Sequence, residues 1–257
     1  MLGEAALGAA VAFCLAVLTT PVGVSGAVFL VPFQLSVVHT PGPAVTPTNL
    51  LYNLVAIPGA LARFRRAGRL GGPLTRLLLL GAVPGVILGA VLRVTVLDGG
   101  GAFLLIVAAV LAPLGAWLAF GRRPAPAPRP GRGRARLVLA LAAASGTVGG
   151  VYGIGGGSIL APVLVGLGHP VSLVAPAALT ATFVTSLAGV AAFALLSLGA
   201  GDAAPEWTLG VGMGLGGLAG AYLGARLQPR LPEALLRRGL GLLALALGAR
   251  YAVQALG

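Results

Sequence analysis

The chain has 257 residues, of which 58% are hydrophobic and only 9% charged, and its mean hydropathy is +1.01. Soluble domains carry about 25% charged residues, so composition excludes a soluble enzyme or binding module and defines an all-α integral membrane protein. The formal charge of +12 would suggest nucleic acid in a soluble protein, but all 17 basic residues are arginine and fifteen fall in three short clusters, Arg63 to Arg76, Arg122 to Arg136 and Arg226 to Arg238. Arginine-rich loops between apolar spans mark the cytoplasmic side and attract anionic lipid, so no nucleic-acid partner is expected.

The first element, Ala5 to Val38, is more than 30 residues long and is interrupted near its middle by GVSGAVFLVP, Gly23 to Pro32. No basic segment precedes its apolar run, so a cleaved signal peptide is not expected. Cys14 is the single cysteine, which excludes an intrachain disulfide, and its apolar neighbours suggest an inert packing residue. Spans follow at Ala44 to Ala62, Leu77 to Leu97 and Ala102 to Phe120, each long enough to cross about 30 Å of hydrocarbon as a helix. RRPAPAPRPGRGRAR, Arg122 to Arg136, is too rich in proline, glycine and arginine to pack and reads as a cytoplasmic linker. The second half opens with Leu137 to Gly168, again more than 30 residues around a glycine-rich stretch, GIGGGSILAP from Gly153 to Pro162. Further spans lie at Ala175 to Leu198, Leu209 to Leu227 and Leu240 to Leu256.

The two glycine-rich stretches superpose at an offset of 130 residues, which also places His39 on His169; with one residue of slippage VTP at Val45 to Pro47 lies over VAP at Val174 to Pro176. LGA at Leu88 to Ala90 matches LGA at Leu223 to Ala225. A duplicated unit is the usual ground plan of a secondary transporter. The span Ala44 to Ala62 ends in RFRRAGR, whereas its counterpart ends in GAGDAAPE, so opposite ends of the two are basic and the halves are expected to be inverted. Inversion needs an odd number of crossings per half. We therefore read the first element of each half as a re-entrant hairpin of two half-helices, which puts both termini outside. The predicted fold is two inverted repeats, residues 1–121 and 137–257, joined by the linker 122–136. Each repeat is a broken, re-entrant element plus three transmembrane helices, about eight membrane elements in all.

GIGGGSILAPVL, followed by GHPVSLVAPAALTATFVTSLAG from Gly168 to Gly189, resembles the TauE/SafE sulfite exporter family, and TNLLYN at Thr48 to Asn53 with RFRRAGRL is similar to that family's first repeat. The resemblance covers essentially the whole chain. It implies a multi-pass bacterial inner-membrane (plasma-membrane) transporter of small anions, typically sulfite, sulfoacetate or other organosulfonates, with glycine-rich breaks in the first element of each repeat. The first copy departs from the pattern, with Ser25 and Ala27 where the second has Gly155 and Gly157.

Gly153, Gly155, Gly156, Gly157 and Ser158 can form an anion cradle of backbone N–H groups at the start of a half-helix, with Gly23, Ser25 and Gly26 as its first-half equivalent. The alternative is close helix contact through small residues. Asn49 and Asn53 share a helical face and are candidates to line the pathway; Thr182, Thr185 and Ser186 stand at the equivalent depth, where a hydroxyl can equally bond back to its own helix. His39 and His169 each precede a turn, either as a symmetric proton relay or as wet interfacial residues.

The only acids, Glu4, Asp98, Asp202, Glu206 and Glu233, fall in loops or at ends, and there is no phosphate-binding loop, metal-spaced cluster or nucleophile and base pair. No enzyme activity, metal or cofactor is expected; the partners are a small anionic substrate and the bilayer. The residues point to a secondary transporter or permease, and the resemblance implies export of sulfite or organosulfonates, efflux of an anion being assisted by an inside-negative potential. The alternative is a channel-like or scaffolding membrane subunit.

Overall fold

Two glycines in the left-handed backbone region, Gly23 at φ +82° and Gly153 at φ +68°, lie at the break that follows the first helix of each half. The computed structural model describes residues 2–40, 42–95, 101–121, 132–197 and 205–256. Among them the chain forms ten α-helices and no strand: α1 (Leu2–Thr19), α2 (Ala27–Ser36), α3 (Gly42–Arg66), α4 (Pro73–Thr95), α5 (Gly101–Phe120), α6 (Arg132–Tyr152), α7 (Gly156–Gly166), α8 (Val171–Ser197), α9 (Trp207–Leu227) and α10 (Glu233–Leu256). Single 3-10 turns follow α1 and α9. The linker expected at 122–136 falls outside the described residues up to Gly131, and its last five residues form the start of α6.

Among the described residues, five segments are long and apolar enough to cross a membrane: Gly3–Val22, Pro73–Arg93, Gly133–Tyr152, Val171–Leu195 and Trp207–Arg230. Three of them coincide with spans expected at 77–97, 175–198 and 209–227. The other two, α1 and α6, correct the expected hairpins. Their first arms are not half-helices but helices of 18 and 21 residues, about 27 and 32 Å long at 1.5 Å per residue. Only the second arms, α2 and α7, are short, at 10 and 11 residues.

In each half the chain doubles back after the first helix. Gly26 lies back alongside Leu15, a Cβ on it standing 3.6 Å from the Leu15 Cβ, so the residues after the 3-10 turn return along α1 before α2 begins. Val38, His39 and Thr40 at the end of α2 line a cavity with Glu4 at the start of α1. In the second half the Arg134 guanidinium, at the start of α6, donates to the Leu167 carbonyl at the end of α7.

Helix contacts run mainly between the halves. Gly81, Gly85 and Gly89 of α4 approach the Leu139, Ala143 and Thr147 carbonyls of α6, and Gly216, Gly220 and Gly224 of α9 approach those of Ala9, Phe13 and Val17 of α1. A Cβ on Gly85 or Gly220 would stand 2.3 Å from the facing carbonyl oxygen, so only hydrogen fits. Small residues every fourth position let membrane helices pack backbone to backbone, where lipid tails offer no hydrophobic drive for association. α3 lies against both α8 and α9, and α5 against α10. Cys14 is exposed on α1, so its thiol faces out of the bundle and is not the packing residue expected.

Candidate functional site

The two breaks meet. Gly23 sits on the backbone of Ala175 in α8, where a Cβ would come within 2.6 Å of the Ala175 Cα, and Gly153 sits reciprocally on Thr46 in α3, 2.5 Å from its carbonyl oxygen. Between these buttresses the Ser25 N–H donates to the Ser158 Oγ at 3.0 Å, joining positions 133 residues apart. The Ser25 hydroxyl also accepts from the Ala27 N–H at 3.2 Å at the start of α2 and bonds to Asn53 Oδ1.

Around this crossing the polar groups are buried. Ser25, Asn49, Asn53, Ser158, Thr182 and Ser186 are each no more than 3% exposed. The Gln34 amide N–H donates to Asn49 Oδ1 at 2.6 Å, so both asparagine carbonyls are engaged while Asn49 Nδ2 and Asn53 Nδ2 have no partner among the described residues. The Thr182 and Ser186 hydroxyls, each able to donate or accept, are likewise unpartnered there, as is the Gln34 Oε1 acceptor. A buried donor without an acceptor costs about 1–3 kcal/mol, so a cluster of them calls for buried water or a ligand. Thr185 differs: its hydroxyl bonds back to the Ala181 carbonyl at 2.8 Å, the self-satisfied arrangement weighed for these threonines. Gln34 is a residue that sequence reasoning missed, although it is the only amide in the apolar run of α2.

Every glycine of the second break makes a close approach. A Cβ on Gly155, at φ +67°, would meet the Thr182 methyl at 2.4 Å; one on Gly157 would meet the Ala178 carbonyl oxygen at 2.1 Å and Thr182 Oγ1 at 2.4 Å. Gly156 lies against the backbone of Gly146 and Ser145 in α6. These glycines therefore press the start of α7 into α6 and α8 beside Thr182; of the first-turn amides, that of Ser158 donates to the Gly155 carbonyl at 3.4 Å. In the first half Gly26 abuts the Tyr52 hydroxyl, 2.7 Å from where a Cβ would be.

The structure does not bring the two histidines together. His39, at φ +56°, lines a cavity of about 180 Å³ with Glu4, Thr40, Glu206, Thr208 and Leu209 at the end where α1, α3 and α9 begin. His169 lies in the turn after α7, near Arg134, and the first residue of α8 beyond it donates its N–H to Glu233 at 2.6 Å. Burial, and then the Arg134 charge, hold the His169 imidazole below its usual range. At this end Gly68, Arg69, Leu70 and Gly71, just beyond α3, share a cavity of about 380 Å³ with Ser172, Leu173 and Pro176 of α8. No group of His, Cys, Asp and Glu suited to a metal occurs among the described residues.

Long apolar helices, backbone-close small-residue packing and a buried polar crossing of two helix breaks define a multi-pass membrane protein of transporter type. The sulfite exporter TauE/SafE family matches residues 8–251, nearly the whole chain, and the protein belongs to that family. No curated protein and no solved structure matches the chain significantly.

Proposed function

We propose that the protein is a secondary transporter exporting sulfite or organosulfonates across a bacterial inner membrane, with the anion bound where the two helix breaks cross. The observation that carries this reading is the inventory of buried donors. Asn49, Asn53, Thr182 and Ser186 hold N–H or O–H groups without acceptors, beside the first-turn amides of α7. An oxyanion supplies several acceptor oxygens and needs donors, and the two asparagine carbonyls that could serve a cation are already engaged by Ser25 and Gln34. Gly23, Ser25 and Gly26 on one side and Gly153 to Ser158 on the other form the two walls.

The organisation we propose is an inverted repeat, 1–121 and 137–257. It is supported by the reciprocal seating of Gly23 on α8 and Gly153 on α3, and by the start of α8 lying beside the loop that ends α3. The basic loop Arg63 to Arg76 then faces the cytoplasm, with His39, Glu4 and Glu206 outside.

Saturable uptake of radiolabelled sulfite into proteoliposomes, inhibited by an organosulfonate, is the expected result. Thr182→Val, which keeps shape and removes one unpartnered hydroxyl, should raise the KM for sulfite about tenfold or more, since a hydrogen bond to a charged group contributes about 1.5–3 kcal/mol. Flux that does not saturate, or no flux from folded protein, would favour the channel-like or scaffolding alternative.

A further inference from the structure

Two arginines stand outside the three loop clusters: Arg93 near the end of α4 and Arg250 near the end of α10. A cation in such apolar sequence is costly unless it faces protein, a partner or a polar pathway. Arg250 is half-buried, and its Nη1 donates to the Val28 carbonyl at 2.6 Å. In an unbroken helix that carbonyl would accept from the N–H four residues on, but residue 32 is proline and has none. The guanidinium thus docks on the first turn of α2, three residues from Ser25. It carries five N–H donors, and no second protein acceptor for it is found among the described residues.

Its neighbour Tyr251 is 3% exposed, and its hydroxyl has no partner among the described residues. The Tyr251 ring lies 6.2 Å from that of Tyr152, the residue immediately before Gly153, and Tyr152 is within electrostatic reach of Arg93. The apolar cluster that buries Tyr251 contains Val28 from the first break and Ile154 and Ile159 from the second. These groups therefore gather where both breaks come together. The first half has no such cation: LGAW at Leu114 to Trp117 lies over LGAR at Leu247 to Arg250, and Trp117 packs near Gly166 of α7. Arg250 is also next to the copy of the motif that has lost two glycines.

The geometry points to Arg250 and the Tyr251 hydroxyl, flanked by Tyr152 and Arg93, as a charged oxyanion-binding site opening on the break crossing, for an anion of the sulfite or sulfonate class. It rests on the transport reading and supplies what the crossing lacks: the donors there are neutral, and an anion stripped of water is held best by charge-assisted hydrogen bonds from a guanidinium.

The test uses the full chain, as unfolding temperatures in maltoside micelles with sodium sulfite against sodium chloride at equal ionic strength, and as sulfite flux in proteoliposomes. Tyr251→Phe should leave the ligand-free unfolding temperature unchanged or higher, because the hydroxyl it removes has no partner. It should at least halve the sulfite-induced rise and raise the KM severalfold. Arg250→Gln should abolish the rise and increase the KM tenfold or more, and Arg250→Lys should retain part of both. If these variants keep the wild-type sulfite rise and KM while wild-type flux is normal, Arg250 only clamps the Val28 carbonyl; the proposal then fails and the transport reading stands. A rise with phosphatidylglycerol but not with sulfite makes this a lipid-headgroup site and also overturns it. A wild-type chain with neither flux nor a sulfite-induced rise overturns both readings.

Discussion

Replacing Gly157 by alanine tests whether α7 is held against α8 as closely as the site requires. The new Cβ would stand 2.1 Å from the Ala178 carbonyl oxygen and 2.4 Å from Thr182 Oγ1. Ordinary contact begins near 3.5 Å, so α7 has to withdraw by about 1.4 Å. That displacement takes the Ser25 N–H to Ser158 Oγ bond, now 3.0 Å, beyond hydrogen-bonding range. Overpacking costs about 1–3 kcal/mol and the lost bond about 1 kcal/mol. At about 2–4 °C per kcal/mol for a chain of this size, the unfolding temperature should fall by roughly 5–15 °C, and sulfite flux should fall with it. Gly155→Ala differs in kind. At φ +67° and ψ +133° it incurs a backbone penalty of about 1–3 kcal/mol, and its nearest clash is with the Thr182 methyl at 2.4 Å. A second change, Thr182→Ser, removes that methyl and should recover much of the loss in Gly155→Ala. It should recover little in Gly157→Ala, where the obstacle is main chain. Thermal unfolding in detergent, read beside flux, separates the two. If Gly157→Ala unfolds at the wild-type temperature and transports normally, the close seating of α7 on α8 is wrong.

Ser158→Ala should destabilise the protein by about 1–3 kcal/mol, because it leaves the Ser25 N–H buried without an acceptor; denaturation of the purified variant measures it, and no change would detach the two breaks from each other. His169 titrates below its ordinary value when folded, so the unfolded chain takes up its proton first as pH falls, and stability should be constant above about 6.5 and decline below it. His169→Gln should flatten that decline, and an identical pH profile for both proteins would count against the assignment. In a Cys14→Ala background, Glu206→Cys should react with an impermeant thiol reagent from outside and Arg129→Cys only from inside; labelling of both from one face would end the inverted arrangement.

The spans at 77–97, 175–198 and 209–227 were legible because they are continuously apolar and bounded by arginine or acidic turns, and α4, α8 and α9 occupy them. The unequal arms of the hairpins were not. Hydropathy averages over direction, so a chain that completes a helix at Thr19 and then doubles back past Leu15 looks the same as one that breaks midway. The candidate site was legible as a set of residue types in the two halves, and the structure places Ser25, Asn53, Ser158 and Thr182 near one another. What single-chain spacing does not encode is which partner each polar group finds. Gln34 reads as one amide in a greasy helix until its bond to Asn49 is seen. Arg250 reads as a terminal charge until the proline four residues beyond Val28 explains the carbonyl it takes.

The close-packed faces of α1 and α4 have a consequence for biosynthesis. Their backbone-close partners are α9 and α6, so no helix made in the first half supplies them. At about 5–20 residues per second, α1 precedes α9 by on the order of ten to forty seconds. Through that interval a nascent first half sits in the bilayer with these faces toward lipid or a chaperone. Slow elongation or truncation after α5 should therefore leave an inserted but unpacked intermediate open to quality-control proteolysis, and supplying the second half as a separate polypeptide should rescue it.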